Sequence, residues 1–309
     1  MKDRVFYKNV LNHCYQRTAD HGVLFYTVRD HLVFFTVFCS VAERHKVRVL
    51  KLVQMPDHTH HSTIAETMQQ LAGFQRDYTS VFAKERNRAF GLSGPVFETP
   101  FSSAPKRGDK EVRTNLIYLD NNPVERKLVK KAEEYRWNYL AYAQSNHPFS
   151  ERIVLRNVSM CLRRALKRVE YLKTQGRYLS YRLLDRMFES LSTKEEKEQL
   201  TDFIICTYSV IDHAEAARYF GGFEKELLAA QSSTGSEYDI SEGFIGKSDK
   251  HYAKLTSIIL KGNRFKDIHE ILNLSADEKL RLLDTLERES SASEKQIRAF
   301  LHLPVEIKR

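Results

Sequence analysis

Two strand-like segments separated by a proline constrain the fold of this chain most strongly. Residues 47–55 combine alternating and continuous apolar side chains, a pattern typical of a half-buried strand. Pro56-Asp57 interrupts the pattern, and a second short strand is predicted for residues 58–64. Together these segments predict a small sheet in the first half of the chain.

The segments around this pair alternate between strand-like and helix-like patterns. A strand is predicted within residues 5–17, helices are predicted for 67–86 and 110–121, and residues 28–44 are compatible with a helix or a strand. Residues 91–105 are rich in Gly, Pro and Ser and are interpreted as a loop around a short strand, Val96-Phe97. This order favours an α+β fold with helices on one face of a small sheet.

The second half of the chain is predicted to be helical nearly throughout. We place the boundary at Asn146-His147-Pro148, because a residue before proline is disfavoured in a helix, which predicts domains 1–148 and 149–309. Capping-box patterns are predicted to start helices at Ser192, Ser275 and Ser291. The short helices of residues 265–302 suit a helix-turn-helix or a supporting helical bundle.

Composition narrows the classes of function. Apolar residues make up 42% of the chain and charged residues 29%, which predicts a globular protein rather than a disordered one. The net charge of +9 suits a polyanionic partner, either nucleic acid or an anionic membrane. No segment is apolar enough to span a bilayer or to serve as a signal core. The four cysteines form no C-x-x-C pair, so we expect no zinc ribbon and a cytoplasmic location.

The most specific local motif is Met-Pro-Asp-His-Thr-His-His at residues 55–61. Residues two apart on a strand project to the same face, so His58 and His60 would present two imidazoles to one divalent ion. His61 would face the opposite side of the sheet. An isolated His-x-His pair is a weak signal in a chain with 12 histidines.

A second motif lies about sixty residues further on, in Leu-Ile-Tyr-Leu-Asp-Asn-Asn-Pro-Val at residues 116–124. Tyr118 and Asn122 are four residues apart and share one face of a helix. Asn122 offers an amide oxygen to a hard cation, and Tyr118 offers a phenol that can attack phosphorus. The alternative is that Tyr118 is a buried helix aromatic and that Asn122-Pro123 ends the helix.

In this order the motifs resemble the HUH single-tyrosine transposases, and most closely the REP-associated tyrosine transposases. Their pattern is Met-Pro-Asn/Asp-His-hydrophobic-His, then Gly-x-x-Trp/Phe, then Tyr-Ile-x-x-Asn-Pro-Val. Here Gly94-Pro-Val-Phe97 matches the middle motif, and Tyr135-Arg-Trp-Asn-Tyr139 resembles the family's segment ending Pro-Trp-Ser-Ser-Tyr. The resemblance covers about residues 5–142.

The resemblance implies an HUH nuclease domain with a ferredoxin-like antiparallel sheet, followed by the helical domain. His58 and His60 fall on the family's metal-binding histidines, Tyr118 on its nucleophile and Asn122 on its third metal ligand. Family members use Mg²⁺ or Mn²⁺, act on single-stranded or hairpin DNA, and often work as homodimers. The implied activity is a single-stranded DNA endonuclease and strand transferase with a 5′-phosphotyrosine intermediate.

The chain departs from the family pattern in three places. Thr59 replaces the apolar residue between the histidines, the polar pair His61-Ser62 follows them, and residues 97–101 lack a basic residue. These departures keep two alternatives open, a domesticated DNA-binding regulator without catalysis and an RNA-processing protein. Tyr78 is a rival nucleophile, but it has no Asn four residues later and is interpreted as a packing or DNA-contact residue.

A basic segment at residues 152–177 is the predicted site of contact with the DNA backbone. Tyr171 and Tyr178 are interleaved with its cations and could stack on bases. The alternative is a solvated helix face. The predicted contact residues are Arg152, Arg156, Arg163, Arg164, Lys167 and Arg168.

Overall fold

The computed structural model describes residues 5–232, 248–262 and 264–304. These residues form an α+β fold with a four-stranded antiparallel sheet and many helices. The strands lie in the order β2-β3-β1-β4. Their bounds are Leu11–Arg17 (β1), Arg48–Gln54 (β2), His58–Ile64 (β3) and Ser102–Lys106 (β4).

Helices cover both faces of the sheet, not one face as the sequence pattern suggested. On one face, helices α1 (Val28–His45) and α2 (Met68–Phe90) pack against each other. On the other face, α3 (Gly108–Glu125) packs through Val112 and Leu116 against Leu11 and Ile64. The central strand β3 is therefore buried at all seven positions, although most of its side chains are polar.

The ambiguous segment after β1 forms helix α1. Its N-cap is Thr27, whose side chain accepts a hydrogen bond from the backbone N–H of Asp30, while the Asp30 carboxylate accepts one from the N–H of Thr27. Besides α2, two later helices, α5 (Tyr181–Glu189) and α6 (Lys194–Tyr208), pack against α1. Burial on most sides explains why its sequence is rich in Val and Phe.

The predicted short strand Val96-Phe97 is wrong in position. Phe97 makes only an isolated bridge with Thr18, and the fourth strand lies at Ser102–Lys106, partly within the predicted loop. Among the described strands, β4 pairs with β1 alone, at the sheet edge. An edge strand tolerates Pro105 and needs no β-branched residues, which explains why the sequence pattern missed it.

Short helices make up most of the chain after residue 148. The capping box at Ser275 and Glu278 is present, but the other two helices begin later than predicted, with Thr193 and Ser293 as N-caps. Residues 268–273 form a 3-10 helix. The remaining helices are α4 (Met160–Thr174), α7 (His213–Arg218), α8 (Phe223–Ser232), α9 (Lys250–Lys261), α10 (Ala276–Glu289) and α11 (Glu294–Leu301).

One hydrophobic core contains residues from both sides of residue 148. Phe35 and Tyr139 belong to the same buried cluster as Leu166, Ile204 and other apolar residues of α4 to α6. A second cluster joins α9, α10 and α11 and includes Val23 from the first half. The division into domains 1–148 and 149–309 stays a prediction, which truncation after residue 148 would test. None of the described helices combines the length and the hydrophobicity that a transmembrane span requires.

Candidate functional site

The two predicted metal-binding histidines lie side by side on the face of β3 that packs against α3. The ring centroids of His58 and His60 are 4.9 Å apart, and the rings are nearly perpendicular at 88°. Strand β1 pairs with β3 so that Tyr15 is opposite His60. The Tyr15 ring contacts both imidazoles, with centroid distances of 5.4 Å to His58 and 4.9 Å to His60.

Each imidazole is oriented by a hydrogen bond on its Nδ1 atom. Nδ1 of His58 lies 2.6 Å from Oδ1 of Asp57, and Nδ1 of His60 lies 2.9 Å from Nε2 of His13. Partners of this kind orient the rings in metal sites, so Nε2 of each ring is the candidate metal-binding nitrogen. A metal on Nε2 of His60 would require that ring to carry its proton on Nδ1 and to donate to His13. Burial tends to raise the pKa of Asp57, but the adjacent His58 outweighs it and holds that pKa well below its usual range.

Helix α3 brings the second motif onto the same face of the sheet. The ring of Tyr118 meets that of His60 edge-on, at a centroid distance of 5.7 Å. Nδ2 of Asn122 donates a hydrogen bond of 3.3 Å to the Tyr118 hydroxyl. One helical turn earlier, Asn115 accepts a hydrogen bond of 2.6 Å from Ser62. The helix continues through Pro123 to Glu125, so Asn122-Pro123 does not end it.

The four residues are closed off from solvent. His60 is 0% exposed, His58 1%, Asn122 2% and Tyr118 7%. Tyr15 lies against the histidine pair and is half-buried. A DNA phosphate can therefore reach this site only after side chains or α3 have moved.

The donor set at the site consists of two imidazoles and one amide. Oδ1 of Asn122 is buried and has no hydrogen-bond partner among the described residues, an arrangement that suits a cation ligand. Within the described ranges, no group of three His, Cys, Asp or Glu side chains is arranged to hold a metal ion. A metal here would need the amide, together with water or substrate oxygens, as further ligands.

The rival tyrosine lies on the opposite face of the sheet. Tyr78 is fully buried, and its ring packs against Phe34, Phe38 and Phe74. Burial raises the pKa of its hydroxyl well above the usual value. His61 lies on this face too, within contact of Tyr78 and with its Nε2 atom 2.8 Å from the Gln75 amide nitrogen. Tyr78 is therefore a core residue, and the sheet separates it from the paired imidazoles.

The predicted DNA-contact residues lie away from this site. Arg152 and Arg156 precede α4, and that helix packs against α5 and α6. Arg163 is half-buried, whereas the other five predicted residues are exposed. Arg168 lines a cavity of about 790 Å³ together with four other arginines, Arg44, Arg88, Arg177 and Arg186.

The predicted helix-turn-helix region packs against the first half of the chain. The 3-10 helix at Ile268–Asn273, α10 and α11 share a core with Val23, and the Tyr26 hydroxyl donates to the backbone oxygen of Phe300 at 2.6 Å. Five of the eight residues of α11 are buried. A docking role for α11 in a DNA groove stays a prediction.

A buried ion cluster under α3 was not predicted. The Lys51 ammonium lies 2.7 Å from Oδ1 of Asp120 and 2.9 Å from Oε1 of Glu226. These residues come from β2, α3 and α8, and each side chain is at most 2% exposed. Asp120 lies between Tyr118 and Asn122 in the chain, so the cluster holds the helix that carries them.

The chain was compared with protein-family models, curated proteins and solved structures. No family model matches it, and no curated protein is similar in sequence. A solved structure of a REP-associated tyrosine transposase bound to a REP hairpin is similar over 44% of this chain and 80% of that chain, with a TM-score of 0.39 and 18% identity.

Proposed function

We propose that the protein is a metal-dependent single-stranded DNA endonuclease and strand transferase with Tyr118 as nucleophile. The observation that carries this proposal is the contact chain from His58 through His60 and Tyr118 to Asn122. It links two motifs about sixty residues apart in the chain. Burial of a tyrosine ring alone would not require an imidazole against that ring and an amide bonded to its hydroxyl.

The residue spacings of the two motifs correspond to similar distances along the helix and along the strand. Four residues of helix rise ~6 Å, and two residues of strand rise ~6.6 Å. Because Asn115 is bonded to Ser62 and Tyr118 lies against His60, we infer that the next turn of α3 brings Asn122 to about the level of His58. This register supports Asn122 as the third metal ligand.

The donor set fits Mn²⁺ better than Mg²⁺. Imidazole nitrogens bind transition metals readily, whereas Mg²⁺ strongly prefers oxygen ligands. The buried amide oxygen of Asn122 supplies one hard donor. A divalent ion bound to His58, His60 and Asn122 would polarise the scissile phosphate and stabilise charge on the leaving oxygen.

The protein's own groups position and activate the nucleophile. The amide N–H of Asn122 donates to the Tyr118 oxygen and thereby favours negative charge on it. The phenol oxygen forms a bond to phosphorus and loses its proton, while the P–O3′ bond breaks and the 3′ oxygen takes up a proton. One phosphodiester is exchanged for another, so strand rejoining needs no ATP.

The arrangement of elements is compatible with this function. The chain order β1-α1-β2-β3-α2-β4 and the sheet order β2-β3-β1-β4 support the ferredoxin-like arrangement that the resemblance implied. We propose single-stranded or hairpin DNA as substrate, in keeping with the net charge of +9. The exposed cations before and on α4 are its proposed backbone contacts, and a homodimer stays part of the proposal.

The test is a covalent adduct between protein and labelled single-stranded DNA hairpins in the presence of Mn²⁺. Wild-type protein should form an adduct that resists denaturing electrophoresis, and Tyr118→Phe should form none. Tyr78→Phe is the matched control, because it also removes one buried phenol oxygen but lies on the other face of the sheet. His60→Ala or added chelator should abolish the adduct.

The same assay separates the alternatives. DNA binding that survives both His58→Ala and chelator, with no adduct in wild type, would identify a non-catalytic regulator. A preference for RNA hairpins over DNA hairpins of matched sequence would identify an RNA-processing protein. An adduct formed equally well by Tyr118→Phe would exclude the proposed mechanism.

A further inference from the structure

A cavity of about 300 Å³ lies beside the turn that precedes the histidine pair. This volume is at the lower end of the range for small-molecule sites. Pro56 lines the cavity and is two residues before His58. The backbone oxygen of Pro56 accepts hydrogen bonds from the N–H groups of Leu24 and Phe25, at 2.7 and 3.1 Å. The cavity wall and the candidate catalytic strand are therefore tied to the same turn.

Flat aromatic side chains form much of the cavity wall. Trp137 stacks on His31 with a centroid distance of 4.1 Å and an angle of 5°. Phe25 stacks on His31 at 4.5 Å, and all three residues line the cavity. Trp137 is half-buried, so part of its indole stays accessible. Because His31 is already covered by Trp137 and Phe25, the outer face of Trp137 is the surface that can stack on a planar nucleobase.

One polar group in the cavity wall can accept a hydrogen bond from a ligand. Asp249 is 6% exposed, and its Oδ2 atom has no hydrogen-bond partner among the described residues. Leaving a buried carboxylate oxygen unsatisfied is costly, so a donor in the cavity would be favourable. Lys250, the next residue, is exposed and lines the same cavity. It can contact the phosphate of a bound nucleotide.

We propose that this cavity binds one unpaired nucleobase of the DNA strand, stacked on Trp137 and donating from its exocyclic amino group to Asp249. The location of this base next to the scissile phosphate rests on the proposed function, whereas the binding of a base to the cavity does not. Enzymes that act on nucleic acids commonly hold an extruded base between aromatic side chains and read its edge by hydrogen bonds. Cytosine, adenine and guanine carry such an amino group, and thymine does not.

The cavity contains its own reporter, because Trp137 is the one tryptophan of the chain. The test titrates the full-length Tyr118→Phe variant, in chelator, with a short single-stranded oligo-deoxycytidine and follows Trp137 emission. We expect saturable quenching, and about ten-fold or greater weakening with an abasic strand of the same length. Equal binding and equal quenching by the abasic strand would overturn the proposal.

The role of Asp249 is tested by base preference. Wild-type protein should bind oligo-deoxycytidine more tightly than oligo-deoxythymidine, and Asp249→Ala, which removes the acceptor oxygens, should lose this preference. Asp277→Ala is the matched control, because Asp277 is exposed on α10 and lies outside the cavity. An unchanged preference in Asp249→Ala would exclude Asp249 as the reading group.

Failure of this proposal is distinguishable from failure of the proposed function. Base-dependent quenching in a protein that forms no DNA adduct would support the cavity and exclude the nuclease activity. Adduct formation without base-dependent quenching would exclude the cavity alone.

Discussion

Replacing Lys51 by methionine should destabilise the fold strongly. Its ammonium is buried at 1% exposure, 2.7 Å from Asp120 and 2.9 Å from Glu226. Methionine fills a similar volume but leaves two carboxylates buried without their cation. Breaking a buried ion pair in this way costs about 3–5 kcal/mol, so we expect a loss of that size in the free energy of unfolding.

The loss of stability caused by Lys51→Met should depend on pH. Burial raises the pKa of Asp120 from 3.8 to about 7, although Lys51 opposes the shift. A carboxyl with a raised pKa in the folded state contributes stability that is present below its unfolded pKa and is lost as pH rises through about 7. Without the ammonium, the carboxylates are tolerated only when protonated, so the penalty of Lys51→Met should be larger at pH 8 than at pH 6.

The assay is equilibrium unfolding in urea followed by far-ultraviolet circular dichroism. The control is Arg48→Met on the same strand, because Arg48 is exposed and pairs with Glu215 at 3.4 Å on the surface. Surface pairs contribute at most about 1 kcal/mol. If Lys51→Met loses no more stability than Arg48→Met, the buried cluster does not hold α3 and the reasoning is refuted.

Three further predictions concern metal binding, pH and salt. His13→Ala should weaken Mn²⁺ binding by about 10–100-fold in calorimetry, because it removes the hydrogen bond that orients the neighbouring imidazole; equal affinities would refute that role. Nε2 of His269 lies 2.8 Å from Oδ1 of Asp30. Burial lowers the pKa of His269, but Asp30 outweighs burial and raises that pKa above 6.5, while the pKa of Asp30 is lowered to about 2. The pairing of His269 with Asp30 should therefore stabilise the fold fully between pH 3.8 and 6.5 and less at higher pH. The urea midpoint of His269→Gln should consequently change less between pH 6 and 8 than that of the wild-type protein. Replacing Arg164 and Arg168 by glutamine should reduce the slope of log affinity for single-stranded DNA against log salt by ~0.7 per lost contact, and an unchanged slope would exclude them as phosphate contacts.

Local patterns predicted the elements that carry the site. Strands β2 and β3 and helices α2 and α3 lie close to the predicted segments, because their periodicity is encoded in neighbouring residues. His58 and His60 share a face because side chains alternate along a strand, and Tyr118 and Asn122 contact each other because helical neighbours are four residues apart.

Long-range contacts could not be predicted in the same way. His13 reaches His60 only because β1 pairs with β3 in one register. The sequence around Lys51 on β2 does not indicate an ion cluster, because the carboxylate partners come from α3 and α8. The edge strand Ser102–Lys106 has little β propensity of its own, and its pairing with β1 decides its conformation. In each case the determining contact joins residues far apart in the chain.

The helix-start predictions show how tertiary packing selects among similar local signals. Ser192 and Thr193 are adjacent candidates, and the structure uses Thr193, whose side chain accepts from the N–H of Glu196. Near the C-terminus, Ser293 rather than Ser291 forms the capping box, with Gln296 as its partner. Several serine and threonine residues can cap a helix locally, and the register of the buried face decides which one does.

The most direct test of the proposed site is to locate the covalent bond to DNA. After reaction with a hairpin in Mn²⁺, exhaustive nuclease digestion and trypsin treatment, the adduct should be found by mass spectrometry. Cleavage after Arg113 and Arg126 gives a peptide that contains Tyr118 as its one tyrosine. We predict that this peptide alone carries a 5′-linked nucleotide, and that the modification disappears with chelator. A nucleotide on another tyrosine, or none on this peptide while strands are cleaved, would contradict the assignment of Tyr118.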